Sequence, residues 1–88
     1  MIRCRLIVHG LVQGVFFRES TRRKAISHGV QGWAHNRLDG TVEAVFEGER
    51  DAVEQLVGFC HEGPRGAIVE RVERFDEPVE GLSGFSIC

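Results

Sequence analysis

The stretch Leu6-Ile7-Val8-His9-Gly10-Leu11-Val12-Gln13-Gly14-Val15-Phe16-Phe17-Arg18 decides how the chain must be laid out. Its first part closes a strand: Ile2, Cys4, Leu6 and Val8 alternate with Arg3, Arg5, Ile7 and His9, the period of a half-buried β-strand. Its last part opens a helix, because Phe17, Thr21, Ala25 and His28 recur at helical spacing and Gly29 offers a stop. Between them lie two glycines, with an arginine at the helix entrance. Glycines let backbone N–H groups turn toward a ligand, a helix start leaves donors unpaired, and a guanidinium adds full charge in a fork. The stretch therefore reads as an oxyanion cradle for a phosphate or carboxylate. No Gly-Lys-Ser/Thr closes it and it is not G-x-G-x-x-G, so it is neither a Walker loop nor a dinucleotide fingerprint.

Downstream the two periods alternate again. A second strand is expected through Val30–Asn36, a hairpin at Asp39-Gly40, and a return strand in which Val42, Ala44 and Phe46 alternate with Thr41, Glu43, Val45 and Glu47. Ala52/Val53, Leu56/Val57 and Phe59/Cys60 form a second apolar helical stripe ended by Gly63-Pro64. Ala67 to Phe75 gives a fourth strand, and Phe85 to Cys88 a short fifth. The order β-α-β-β-α-β is the split βαβ pattern. Right-handed crossovers make it an α+β, ferredoxin-like α/β sandwich, an antiparallel sheet ordered 4-1-3-2 with both helices on one face. One domain over residues 1–88 is expected, since a chain of this length holds a single core.

Composition narrows the function classes. No apolar run approaches the ~20 residues needed to span a bilayer, and a cytoplasmic protein is expected, with no membrane partner. Cys4, Cys60 and Cys88 are odd in number and far apart, which suggests neither a disulfide framework nor a metal site; all three are expected as thiols, with Cys88 exposed. Residues 1–40 carry seven Arg/Lys against two acids, and residues 41–88 four against eleven. A positive field around Arg18 would favour a small anionic substrate. Nucleic acid is not expected, because the chain is acidic overall and Arg22-Arg23-Lys24 is its only basic cluster.

Asn36 stands at the end of the second strand, where a crossover can bring it toward Arg18. Its amide offers both a donor and an acceptor, which can hold a water in one orientation without a particular protonation state. The competing reading of an Asn before a hairpin is turn stabilisation. For an Arg at a helix start the competing reading is a surface charge, and that is weakened because a cation there opposes the helix dipole unless an anion compensates.

At these residues the sequence resembles the acylphosphatase family. A G-x-V-Q-G-V-x-[FY]-R pattern is matched by Gly10, Val12, Gln13, Gly14, Val15, Phe17 and Arg18; a second, an aromatic strand ending in Asn and followed by G-x-V, by Gly32, Trp33, Ala34, Asn36, Gly40, Val42 and Gly48. Gly63-Pro64 followed by Ala67, Val69 and Val72 extends the likeness over essentially the whole chain. The resemblance implies hydrolysis of acyl phosphates by metal-free, in-line attack of water, without cofactor, in a monomer. It implies a phosphate-binding loop over Val12, Gln13, Gly14, Val15, Phe16, Phe17 and Arg18, with Arg18 on phosphate and Asn36 on the attacking water.

His35 and His28 depart from the family pattern. Adjacent strand residues point to opposite faces, so His35 is not expected to serve as a base beside Asn36. His28 is read as a helix-end histidine and Trp33 as a sheet-packing residue, while His9 and His61 have no partner at a recognisable spacing. Two alternatives remain: a non-catalytic module that binds acyl or carbamoyl phosphate, and an RNA-binding sheet of similar topology. The second lacks an RNP1 pattern, and its aromatics lie in a loop.

Overall fold

The computed structural model describes all 88 residues as β1 (Ile2–Leu11), α1 (Phe17–Ser27), β2 (Gln31–Asn36), β3 (Val42–Gly48), α2 (Arg50–Glu62), β4 (Ile68–Glu77) and β5 (Phe85–Ile87). The sheet is ordered β4-β1-β3-β2-β5. Neighbours among its first four strands pair antiparallel, as the split βαβ pattern requires, and both helices pack on the face that carries Cys4, Leu6, Val8, Ala34, Val42, Ala44 and Phe46. Val53, Leu56, Val57 and Cys60 of α2 and Phe17 and Ala25 of α1 close the core from above. The periodicities of 2 and 3.6 thus meet in one apolar layer.

The fifth strand departs from the all-antiparallel expectation: β5 pairs with β2 in parallel, through Gly32↔Phe85, Trp33↔Ser86 and Ala34↔Ile87. The direction follows from the path. β4 lies at the opposite edge and runs antiparallel to β1, hence antiparallel to β2. Residues 78–84 cross at the end where β4 finishes, so β5 must climb alongside β2 toward the end that holds the glycine loop.

Gly10 also differs from its expected place. It belongs to β1, which continues to Leu11, and sits at a bulge where the β1–β4 register shifts after His9. At φ +131° a Cβ there would lie 2.1 Å from the Ile68 carbonyl oxygen. Only glycine permits that approach to β4, so Gly10 shapes the sheet edge rather than the cradle.

The outer sheet face is a charged lattice. Arg3 reaches Glu47 at 2.9 Å and Glu77 at 3.2 Å, and Arg5 reaches Glu77 at 2.9 Å and Glu43 at 3.5 Å. Arg22 and Arg23 pair with Glu19, Arg37 with Asp39, and the Lys24 ammonium lies 5.6 Å from the centre of the Phe59 ring. The basic half expected from the sequence is therefore largely neutralised by acids of either half. Among its seven cations, Arg18 alone has neither an ion pair with a side-chain carboxylate nor an aromatic ring under it; its Nη1 donates to the Cys88 main-chain oxygen. The field at the cradle comes from that one guanidinium and the backbone.

Candidate active site

Residues 12–16 leave the sheet and enter α1 without adopting either structure. Val12 is buried at the base, and Phe17 anchors the far end in the core, its ring centroid 6.3 Å from that of Phe59. Between these anchors the backbone turns through Gly14 at φ +75° and Phe16 at φ 59°, ψ 27°. Phe16 is the one non-glycine residue at positive φ, a strain of roughly 1–3 kcal/mol of the kind that persists where the surroundings over-determine a functional loop. The consequence is electrostatic. None of the N–H groups from Val12 to Phe16 donates to a backbone or side-chain acceptor, and they stand at the positive end of α1.

The Gln13 side chain holds this loop to the β2–β3 hairpin. Its Nε2 donates to the carbonyl oxygens of Arg37 at 2.8 Å and Thr41 at 2.9 Å. The sequence placed Gln13 in the loop, but it did not show that the amide reaches the turn following Asn36. That turn is closed by Asp39, whose Oδ1 accepts from the Thr41 N–H at 3.0 Å and the Thr41 hydroxyl at 2.6 Å. Asp39 thus does the work that the turn reading assigned to Asn36. The Asn36 side chain makes no hydrogen bond within the protein and is exposed.

Arg18 and Asn36 line one cavity of about 250 Å³, together with Val12, Gly14, Phe16 and Ile87. The register explains the meeting. Asn36 shares the helix side of β2 with Ala34 and pairs with the buried Val42, so it points toward the α1 entrance. Arg18 is steadied by one hydrogen bond, from Nη1 to the main-chain oxygen of Cys88. β5 was read only as a short strand; its delivery of Ile87 and the Cys88 oxygen to the site was not legible from local pattern.

The histidines lie elsewhere. His35 Nε2 lies 3.0 Å from Glu43 on the outer face, and its ring stacks on Trp33 with centroids 4.8 Å apart. His28 caps α1, its Nδ1–H donating to the Lys24 carbonyl at 2.9 Å. His9 has the partner that spacing could not reveal: Glu73, 2.7 Å away across the β1–β4 pairing. Cys4 and Cys60 are buried, their thiols pushed up by burial to about 11 and about 12, and Cys88 is exposed. No three His, Cys, Asp or Glu side chains converge as metal ligands, and no helix is long and apolar enough to cross a membrane.

Comparison with known proteins bears on the sequence and the fold as a whole. A family model described as Acylphosphatase matches residues 4–87. An acylphosphatase of Rubrobacter xylanophilus is 57% identical over 97% of this chain and 78% of its own. Among solved structures, an acylphosphatase from Bacillus subtilis superposes with a TM-score of 0.96 at 35% identity, covering 100% of this chain and 99% of that one. One from Coxiella burnetii gives 0.94 at 41% identity over 99% of this chain and 92% of that one.

Proposed function

The chain belongs to the acylphosphatase family and is an enzyme that hydrolyses acyl phosphates, and from that premise we propose that residues 12–18 hold the phosphoryl group while Asn36 presents the attacking water. The observation that carries the reading is the pairing of one guanidinium that forms no side-chain ion pair with five successive N–H groups that lack a protein acceptor. Phosphoryl transfer asks for little else from a protein: positioning, and stabilisation of charge on the equatorial oxygens. Arg18 and the backbone donors meet that charge. Asn36, on the opposite lining of the cavity, accepts a hydrogen bond from water through its carbonyl oxygen and orients it in line with the acyl oxygen. The carboxylate departs as the water oxygen bonds to phosphorus, and its protons pass to solvent or to a phosphate oxygen. The products are a carboxylate and inorganic phosphate.

The reaction is read as metal-free, since the cavity offers N–H groups, a guanidinium, one amide and a single carboxylate, Glu19, which is held by Arg22 and Arg23. The protein is read as a cytoplasmic monomer without a nucleic-acid partner. The pairing of Arg3 and Arg5 with Glu43, Glu47 and Glu77 on the outer sheet face supports the last point, because cations held in ion pairs are not free for a phosphate backbone.

Phosphate release from benzoyl phosphate, with and without chelator, tests the reading. Arg18→Ala should lower kcat/KM by at least ~10²–10³-fold while the domain stays folded, the scale for one transition-state donor. Phosphate affinity without turnover in the wild type would mark a binding module instead, and loss of activity in chelator, restored by metal, would overturn the metal-free route.

A further inference from the structure

Phe16 lies 81% exposed and takes no part in the core cluster, although its neighbour Phe17 is buried at the centre of it. A large aromatic ring in water gains nothing for the fold, and a β-carbon at φ 59° costs something. Glycine would relieve the backbone, so what the position uses is the ring. The left-handed turn places Phe16 at the mouth of the cavity that holds Arg18 and Asn36. Ile87, 38% exposed and delivered by β5, is a second apolar side chain on the same lining. The cavity thus has two chemical characters, a polar one of N–H groups, guanidinium, amide and the ion-paired Glu19, and an apolar one of Phe16 and Ile87 over Val12.

We propose that Phe16 and Ile87 form the acyl-group subsite and select substrates whose acyl group is aromatic or bulky aliphatic, an inference that rests on the phosphoryl assignment above. With the phosphoryl group against residues 12–18, the acyl portion must leave the cradle toward the cavity mouth, the region where these two side chains are exposed. A ring or branched chain there removes apolar surface of Phe16 and Ile87 from water and shields the attacking water from bulk solvent. An acetyl group is too small to cover either.

The test compares kcat/KM for benzoyl phosphate and acetyl phosphate in wild type, Phe16→Ala, Phe16→Leu and Ile87→Ala. Taking the ratio cancels the intrinsic reactivity of the two compounds and any common factor from altered loop geometry. Phe16→Ala should reduce the benzoyl-to-acetyl ratio about tenfold and Ile87→Ala about threefold, the range for losing part of an apolar pocket. Phe16→Leu, which keeps apolar bulk, should restore most of the ratio. Both rates falling together in Phe16→Ala, with the ratio unchanged, would show that Phe16 only shapes the loop and would overturn the subsite. Wild-type protein that releases phosphate from neither compound would instead overturn the phosphoryl assignment, and the subsite with it.

Discussion

At residues 80–82 three successive backbone N–H groups close on the Glu47 carboxylate, at 2.7 Å from Glu80, 3.1 Å from Gly81 and 2.9 Å from Leu82, while at residues 12–16 five successive N–H groups meet no acceptor in the protein. Both concavities are made of the same groups, and each is accompanied by one arginine: Arg3 on Glu47 in the first, Arg18 in the second. They differ in where the anion comes from. Glu47 is 0% exposed, so its site is filled by the chain itself and serves stability. The loop before α1 opens into a cavity, and in the proposed reading its anion is the phosphoryl group of the substrate. An anion-binding backbone therefore becomes a functional site when the fold provides the donors and withholds the acceptor.

The strongest way to break this comparison is to empty the first site. Glu47→Ala takes from the buried Arg3 its one fully buried partner, leaving it Glu77 and Glu80, and leaves three N–H groups unpaired, which should cost about 3–5 kcal/mol, the range for removing one member of a buried pair. Urea denaturation measures it, and a loss below about 1 kcal/mol would mean that residues 78–84 simply relax into water. Proton linkage gives an independent check. Burial alone would raise the Glu47 pKa, but the backbone N–H groups and Arg3 outweigh it and hold the carboxyl below its ordinary value. The folded state therefore binds its proton less readily than the unfolded chain. This contribution is complete above the ordinary carboxylate range and disappears as pH falls through the lowered folded value. In Glu47→Ala the acid-side decline of stability should be correspondingly shallower.

Filling the second site gives the complementary prediction, with a smaller effect. Inorganic phosphate, binding only the folded protein, should stabilise it by about 2.7 kcal/mol at one hundred times its dissociation constant. The increment should vanish in Arg18→Ala and survive in Glu47→Gln, with Tm read against phosphate concentration in all three proteins. A phosphate increment that needs Glu47 and ignores Arg18 would reverse the two assignments.

These two sites also differ in how far the sequence discloses them. The open cradle is local: Gly14, a strand period before it and a helix period after it occupy one short stretch, and Arg18 and Asn36 stand at element ends that a β-α-β crossover brings together. The Glu47 site has no such signature. Its donors are backbone groups of Glu80, Gly81 and Leu82, which lie 33 to 35 residues away and have no identity as N–H groups in a sequence. The same limit hid the Glu73 partner of His9 and the parallel direction of β5, both set by which strands become neighbours. Gly10 was misplaced for a related reason, because the need for glycine there arises from the Ile68 carbonyl of a strand not yet in view.

The smallest expected effect comes from two adjacent residues that the strand sends to opposite sides. Asn36 lines the cavity with Arg18, whereas His35 is hydrogen-bonded to Glu43 among the ion pairs of the outer face. Asn36→Ala should lower kcat at least about tenfold while leaving the inhibition constant of inorganic phosphate nearly unchanged, because its amide acts on the water and is felt during attack. His35→Ala removes a partly exposed contact with Glu43, of the kind worth about 0–1 kcal/mol, and a stacking contact with Trp33. Neither touches the cavity lining, so kcat on benzoyl phosphate should stay within about twofold of wild type, with only a slight fall in Tm. The two variants differ by one position in sequence and by the thickness of the sheet in space. If His35→Ala were the crippled enzyme and Asn36→Ala turned over normally, the water would be held from the ion-paired face, and the strand register that brings Asn36 to Arg18 would have no part in catalysis.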